Sequence, residues 1–419
     1  MKKIMLFVAL AMLAGCNKVE TVTTVDENVF SSEITVKSPV PERQIDRIAL
    51  SGSQKALVSG SNVFSLRLLD NLRTEDRSMV FSPLSIALDL AMVANGTSGT
   101  ARQEILDALG YDGEDITVYN DYCKRLIDGL PAVDLSSRIS IANAILADSS
   151  YPVKDSFKSA MADNYYSLVE SLPFTNWSQV RSRINKWVSD CTEGLIPEML
   201  NESTSASVSI LLNALYLKAG LSFPFGDSFS FVFHSGKKDV TLPFMGGLFQ
   251  IPYTSNELYE AVCLPLGNEK LGISVYLPRE EVGMEEVIAQ LKDKTEWGHW
   301  GKTCDVNVRI PKFKTESSFR LIPSLEEIGI SQVFQICPFD NMLQSTLPFR
   351  VGTVLHKATL SLDENGIEAA AATAIGIDAI APPSYTQKEY IEFTADRPFL
   401  YLVQERTTGI ILFAGIFNG

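Results

Sequence analysis

The chain has 419 residues, 46% hydrophobic and 21% charged, a composition ordinary for a globular protein and without low-complexity tracts. Its 36 basic against 50 acidic residues leave a net charge of -14. A field of that sign repels polyanions, which speaks against nucleic acid and heparin-like partners and says nothing about the fold.

Read from the N-terminus, Lys2 and Lys3 supply a positive n-region, and the apolar run from Ile4 to Leu13 is too short to span a bilayer. It ends in Leu13-Ala14-Gly15-Cys16, small residues before a cysteine that look like a bacterial lipobox. The expectation is a signal peptide over residues 1–15, acylation of Cys16, and an exported bacterial lipoprotein at the outer membrane or cell surface. Acyl chains anchor firmly because each buried CH₂ contributes roughly 0.8 kcal/mol. Residues 16–47 are rich in Thr, Val, Glu, Ser and Pro without helical periodicity and read as a tether. Residues 48–419 carry no second linker and no repeat, and read as one domain. The remaining cysteines, Cys123, Cys191, Cys263, Cys304 and Cys337, are odd in number and contain no CxxC. They indicate neither a disulfide framework nor a metal site, and buried free thiols are expected.

The first half is helical in pattern. Ser82 caps a helix with Pro83 at its first position, and the apolar stretch stops at Asn95-Gly96. Thr100 to Gln103 matches a capping box, with Gly110 ending that short helix. Arg181 to Leu200 places Ile184, Trp187, Val188, Cys191 and Leu195 on one face, which predicts an amphipathic helix. Strands are predicted over Ile210–Leu217, Tyr259–Leu264, Leu271–Leu277, Val306–Ile310, Val354–Leu362, Phe399–Gln404 and Ile410–Ile416. Helices first and strands later give an α+β class.

Motifs of catalysis are missing: there is no G-x-S-x-G, H-E-x-x-H, Walker loop or dinucleotide fingerprint. The three histidines are His234, His299 and His356, and His299 between Trp297 and Trp300 reads as a packing or surface residue. No cofactor is indicated.

The unusual stretch runs from Asp363 to Asp378. Its alanines favour a helix, but its alternation does not. Odd positions from 367 to 377 read Ile, Ala, Ala, Thr, Ile, Ile, and even positions from 368 to 378 read Glu, Ala, Ala, Ala, Gly, Asp. One apolar and one small or acidic face make a half-buried strand pattern. The lack of bulk suits a segment that slides between two existing strands.

On these residues the chain resembles the serpin family from Ile48 to Gly419. The hinge Glu364-x-Gly366-x-Glu368-Ala369-Ala370-Ala371-Ala372-Thr373 carries the resemblance, with Phe81-Ser82-Pro83-Leu84-Ser85-Ile86, Asn213-Ala-Leu-Tyr-Leu-Lys218, Val354-Leu-His-Lys-Ala358, Asp396-Arg-Pro-Phe399 and Thr408-Gly-Ile-Ile-Leu-Phe413. The resemblance implies helices packed around three β-sheets with an exposed reactive-centre loop at about residues 364–395. It implies an irreversible suicide-substrate inhibitor of serine and cysteine endopeptidases, not an enzyme. The cut loop enters the main sheet as a new strand and traps the acyl-enzyme in a covalent 1:1 complex, the inhibitor acting as a monomer. The family's polar shutter maps onto Ser82, Ser85, Asn213 and His356. Two departures stand out: Ile367, where the family usually has Thr or Ser, and Leu221 in place of a tryptophan. These leave a non-inhibitory binding or scaffolding protein at the cell surface as the alternative, with a surface hydrolase as a third class.

Counting from Gly366 by the family's usual loop length places the attacked bond at Ile380-Ala381. Anchoring on Pro382-Pro383 places it at Ala379-Ile380, and cleavage after Asp378 is a weaker option because it shortens the inserting strand. Small or apolar residues there match elastase-, subtilisin- or papain-like peptidases, since no basic residue follows until Lys388.

Overall fold

The computed structural model describes residues 41–201, 209–294, 297, 300–345, 349–368 and 390–419, all within one compact unit, Ile34–Gly419. Elements follow in chain order as α1 (Gly52–Leu72), β1 (Met79–Phe81), α2 (Pro83–Gly96), α3 (Gly99–Ala108), α4 (Ile116–Gly129), β2 (Arg138–Asp148), α5 (Asp155–Tyr165), β3 (Leu168–Leu172) and α6 (Trp177–Cys191). Next come β4 (Ser209–Gly220), β5 (Phe229–Ser235), β6 (Lys238–Ser255), β7 (Tyr259–Leu266), β8 (Leu271–Pro278) and α7 (Met284–Lys292). The chain continues with β9 (Lys302–Pro311), β10 (Phe313–Arg320), α8 (Ile322–Glu327), β11 (Leu355–Asp363), β12 (Gly366–Ile367), β13 (Ile391–Thr394), β14 (Phe399–Glu405) and β15 (Ile411–Phe417).

Local chemistry sets the helix ends. Ser82 accepts from the Ser85 amide at 3.3 Å and Pro83 occupies the first turn, so α2 starts and stops where the sequence indicated. Two other helices differ from expectation. The helix expected to be capped at Thr100 begins at Gly99, so Thr100 lies inside its first turn. Ser98 takes the cap position, yet its hydroxyl donates to Asp340 instead of closing a box. The helix expected over Arg181–Leu200 is α6, which starts at Trp177 and ends at Cys191. There the Thr192 hydroxyl donates to the Val188 carbonyl at 2.8 Å, and Glu193 and Gly194 adopt positive φ of 51° and 86°. The chain therefore turns away before Leu195 can join the apolar face.

Strand order in the six-stranded sheet is β10-β11-β12-β4-β2-β3. β2 runs antiparallel to β4 from Arg138↔Lys218 to Ala147↔Ser209. A nine-stranded sheet has the order β1-β15-β14-β8-β7-β6-β9-β13, with β5 on β6. The long β6 pairs with β5, β9 and β7, so two of the three expected sheets form one continuous ladder. The expected strands are present, and β1, β2, β3, β5, β6, β10 and β13 add to them. β2 is buried on both faces along most of its length, which removes the alternation that marks a strand in sequence.

α2 packs beneath the six-stranded sheet with Leu84, Ile86, Leu88, Leu90 and Met92 all buried. None of the five described cysteines is in a disulfide; Cys123, Cys263 and Cys337 are buried, while Cys191 and Cys304 are only half-buried, short of the full burial expected.

Candidate functional site

The predicted hinge and shutter lie along one seam of the six-stranded sheet, between β4 and β11. These strands run parallel, and no described ladder joins them directly; β12 stands between them at the top.

At the top, Asp363 starts a tight turn. Its Oδ1 accepts from the Asn365 amide at 2.8 Å and the Gly366 amide at 3.3 Å. The chain doubles back, and Gly366 and Ile367 enter the sheet. They pair with Asp363 and Leu362 on one side and with Gly220 and Ala219 on the other. Gly366 is required here: its φ is 138°, and a Cβ would meet the Ala219 carbonyl oxygen at 2.3 Å. Ile367 is only 2% exposed. The reactive loop expected to be exposed from residue 364 is therefore in the sheet through residue 367, because a β-branched apolar side chain gains from leaving water at that point.

The turn is tied on its outer side. The Leu221 amide donates to the Asn365 carbonyl at 2.6 Å, and the Phe225 amide to the Glu364 carbonyl at 3.1 Å. Lys312 pairs with the Glu364 carboxylate at 2.7 Å. Burial opposes ionisation of Glu364, but the Lys312 contact, a hydrogen bond from its own backbone and one from Ser228 together hold the carboxyl below its ordinary range. Leu221, buried at 8% exposure, packs where the family resemblance would place an aromatic ring. Glu368 follows with φ 50°; burial raises its carboxyl against the pull of Lys314 and Lys218.

At the bottom lies the shutter cluster. The Ser82 amide donates to His356 Nε2 at 3.0 Å, and the Ser82 hydroxyl to the Leu412 carbonyl at 2.8 Å. Ser85 donates its amide to Ser82. Burial pushes the His356 imidazole down to about 4, so the ring is neutral and accepts through Nε2. Asn213 does not join this group. Its Nδ2 donates to Asn143 Oδ1 at 2.5 Å across the β2–β4 pair, while its own Oδ1 is buried without a partner. Ser82, Ser85 and His356 are thus brought together, and Asn213 faces the same space from the other side of the seam.

That space is a cavity of about 350 Å³, lined by β4 residues including Asn213, by His356 and by one face of α2. Sequence reading missed Asp89, the only charged residue of α2, whose Oδ1 is buried without a partner. Its surface lines this cavity, and burial pushes the carboxyl up to about 8. A single acid in an otherwise apolar helix was the available signal. Lys312 and Asn143 were also missed; each is recognisable only once the fold supplies its partner.

The predicted reactive bond at Ala379, Ile380 and Ala381, the hinge residues Ala369, Ala370, Ala371, Ala372 and Thr373, the lipid site Cys16 and His299 lie outside the described residues.

Residues 59–418 match the family described as "Serpin (serine protease inhibitor)". An uncharacterized serpin-like protein of Thermococcus kodakarensis is 26% identical over 428 residues, covering 97% of this chain and 96% of its own. The crystal structure of tengpin, a thermophilic serpin in the native state, has a TM-score of 0.79 at 24% identity, over 90% of this chain and 97% of that one. Human thyroxine-binding globulin has a TM-score of 0.77 at 23% identity, over 88% of this chain and 99% of that one. These two structures share the fold with this chain.

Proposed function

Because this chain belongs to the serpin family, we propose that it is an irreversible suicide-substrate inhibitor of serine endopeptidases, with cysteine endopeptidases as further targets. One observation carries the reading, the register of β12. Gly366 opposes Gly220, and Ile367 opposes both Ala219 and Leu362. Each further step along the loop moves one residue back along both neighbours. Continued after cleavage, this register sets Thr373 between Asn213 and His356, and Ile377 opposite Ser209, where β4 begins.

The side-chain faces agree. Along β11 the buried residues are His356, Ala358, Leu360 and Leu362, so odd loop positions point inward. Those are the apolar positions plus Thr373. The Thr373 hydroxyl would reach the unpartnered Asn213 Oδ1, and Ile375 and Ile377 would fill the cavity. β4 is exhausted at Ile377, so a cut at Ala379-Ile380 or Ile380-Ala381 frees a strand that fills β4 with two or three residues to spare.

In the reaction, the peptidase's hydroxyl or thiol attacks the carbonyl carbon of the residue before that bond. The C–N bond breaks, the new amine leaves with a proton, and an ester or thioester remains. Insertion then carries the enzyme away from the geometry that hydrolyses it. The small or apolar residues at the bond suit elastase-, subtilisin- and papain-like pockets, and the inhibitor works as a monomer in a covalent 1:1 complex. We extend the proposal to an exported bacterial lipoprotein acylated at Cys16, held at the outer membrane or cell surface by residues 16–47. Among the described residues no helix is long and apolar enough to cross a membrane.

A second reading, a non-inhibitory binding or scaffolding protein, is favoured by Ile367, whose burial holds the hinge before any cut. One experiment separates the two. Nicking at residues 378–384 should raise heat stability sharply, and an elastase-type enzyme should give an adduct that survives boiling in detergent. A nick without stabilisation, and no adduct with any peptidase class, would leave only the second reading.

A further inference from the structure

Loop insertion accounts for the Asn213 acceptor and the cavity's apolar walls, but offers nothing to Asp89. No residue from 367 to 377 has a cationic side chain. We infer that the cavity beneath β4 and β11 binds a small apolar amine, its protonated nitrogen held by the Asp89 carboxylate with the Asn213 side-chain oxygen as second acceptor.

The walls come from Ile86, Leu90, Val93, Leu212, Phe334 and Leu343, and about 350 Å³ accommodates a compact hydrocarbon body. Two buried acceptors, Asp89 Oδ1 on α2 and Asn213 Oδ1 on β4, have no donor among the described residues. Asn213 is 8% exposed. A ligand that fits must therefore donate hydrogen bonds, and a positive charge matches the carboxylate. The other titratable or charged groups on the walls are His356 and Arg350. His356 Nε2 already accepts from Ser82. Arg350 is exposed, and Asp89 Oδ1 accepts no hydrogen bond from it. Asp89 in the empty cavity retains its proton near neutrality, since burial pushes it up to about 8; a bound ammonium replaces that proton as the neutralising partner.

The binding itself is independent of inhibition. Its consequence rests on the proposed function: an amine in the cavity occupies the space destined for Ile375 and Ile377, and so slows strand insertion.

The test is isothermal titration of the intact, uncleaved chain with 2-phenylethylamine and its neutral counterpart 2-phenylethanol. The amine should bind 1:1 and more tightly than the alcohol. Asp89→Asn should weaken the amine about ten- to a hundred-fold, the range for a hydrogen bond to a charged group, and leave the alcohol unchanged. Should Asp89→Asn fail to fold, Asp89→Leu serves the same purpose, because it removes a half-buried acid whose Oδ1 has no partner. Equal affinity for amine and alcohol, amine binding that survives loss of the carboxylate, or no binding overturns the proposal. With binding intact, an unchanged rate of heat stabilisation after nicking overturns the proposed slowing of insertion, whereas no stabilisation at all, with or without the amine, counts against the insertion reading and not against the site.

Discussion

Ile367→Ala tests the hinge. In the intact chain Ile367 is 2% exposed and paired on both sides. Truncating a packed isoleucine to alanine costs about 2–5 kcal/mol when the segment stays in place. This segment has a second option, because β12 is two residues long and is held otherwise by the Leu221 and Phe225 amides and the Lys312 ion pair. The cost should therefore appear as local opening and not as global unfolding. The reporters are those two amides, which donate to the Asn365 and Glu364 carbonyls. Native-state hydrogen exchange at Leu221 and Phe225 should accelerate by about 30-fold to several thousand-fold, reaching a ceiling once the hinge is fully out. The nicked form also buries residue 367, so its midpoint should fall as well. If the two amides keep their protection while the intact protein's global midpoint drops by the full amount, the hinge is not a separately opening unit and the reasoning fails.

Lys312→Ala removes a partly exposed ion pair, so the same Phe225 amide should exchange faster by no more than about five-fold. In the wild type this tie is present above the ordinary glutamate value of 4.5 and is lost as pH falls through the depressed Glu364 value; acid-induced loosening should be absent in Lys312→Ala. His356 and Asp89 oppose each other. Between pH 6.5 and about 4 the unfolded chain binds a proton that neutral His356 does not, so stability is lost as pH falls, on the order of 3 kcal/mol in all. Asp89 keeps its proton in the fold between 3.8 and about 8, so its contribution is lost as pH rises through that range. Urea midpoints of His356→Gln should fall steadily from pH 5 to 7.5, and those of Asp89→Asn should rise to pH 6.5 and level off; parallel profiles would refute both assignments. Thr373→Val should leave the intact midpoint unchanged and lower that of the nicked form by about 1–3 kcal/mol, the cost of an unsatisfied buried acceptor; equal effects on both forms would place Thr373 elsewhere.

At the hinge the period of two was legible in composition, and Gly366 and Ile367 do pair as a strand; the rest of the tract lies outside the described residues. The N-terminus of α2 was legible because Ser82 and Pro83 act locally. The end of α6 was not: the hydrophobic spacing continues to Leu195, but the Thr192 hydroxyl competes for the backbone two residues before Gly194. The cap of α3 was missed because a distant residue, Asp340, takes the Ser98 hydroxyl. Asp89 and Lys312 escaped for a related reason. Their significance lies in a missing partner and in a partner 52 residues away, and neither is written in spacing.

Under the proposed function, the seam is also where metastability would reside. At its top the hinge has already entered, so opening the sheet there carries no further cost. At its base Asn213 Oδ1 faces a cavity without a donor, which disfavours the intact form by about 1–3 kcal/mol. Insertion would satisfy that oxygen through Thr373 and bury Ile375 and Ile377, worth about 1.5–3 kcal/mol each. It would also add backbone hydrogen bonds on both sides of the new strand, each about 0.5–1.5 kcal/mol net. These gains all lie ahead of residue 367, and none can be collected while the chain is uncut, because the loop's far end is tied to β13, which is paired with β9 from Ile391↔Val306 to Thr394↔Arg309. Under the proposed function, covalent continuity would hold the strand back in the intact state, and a peptidase would remove that restraint by cutting the loop as it cuts any substrate.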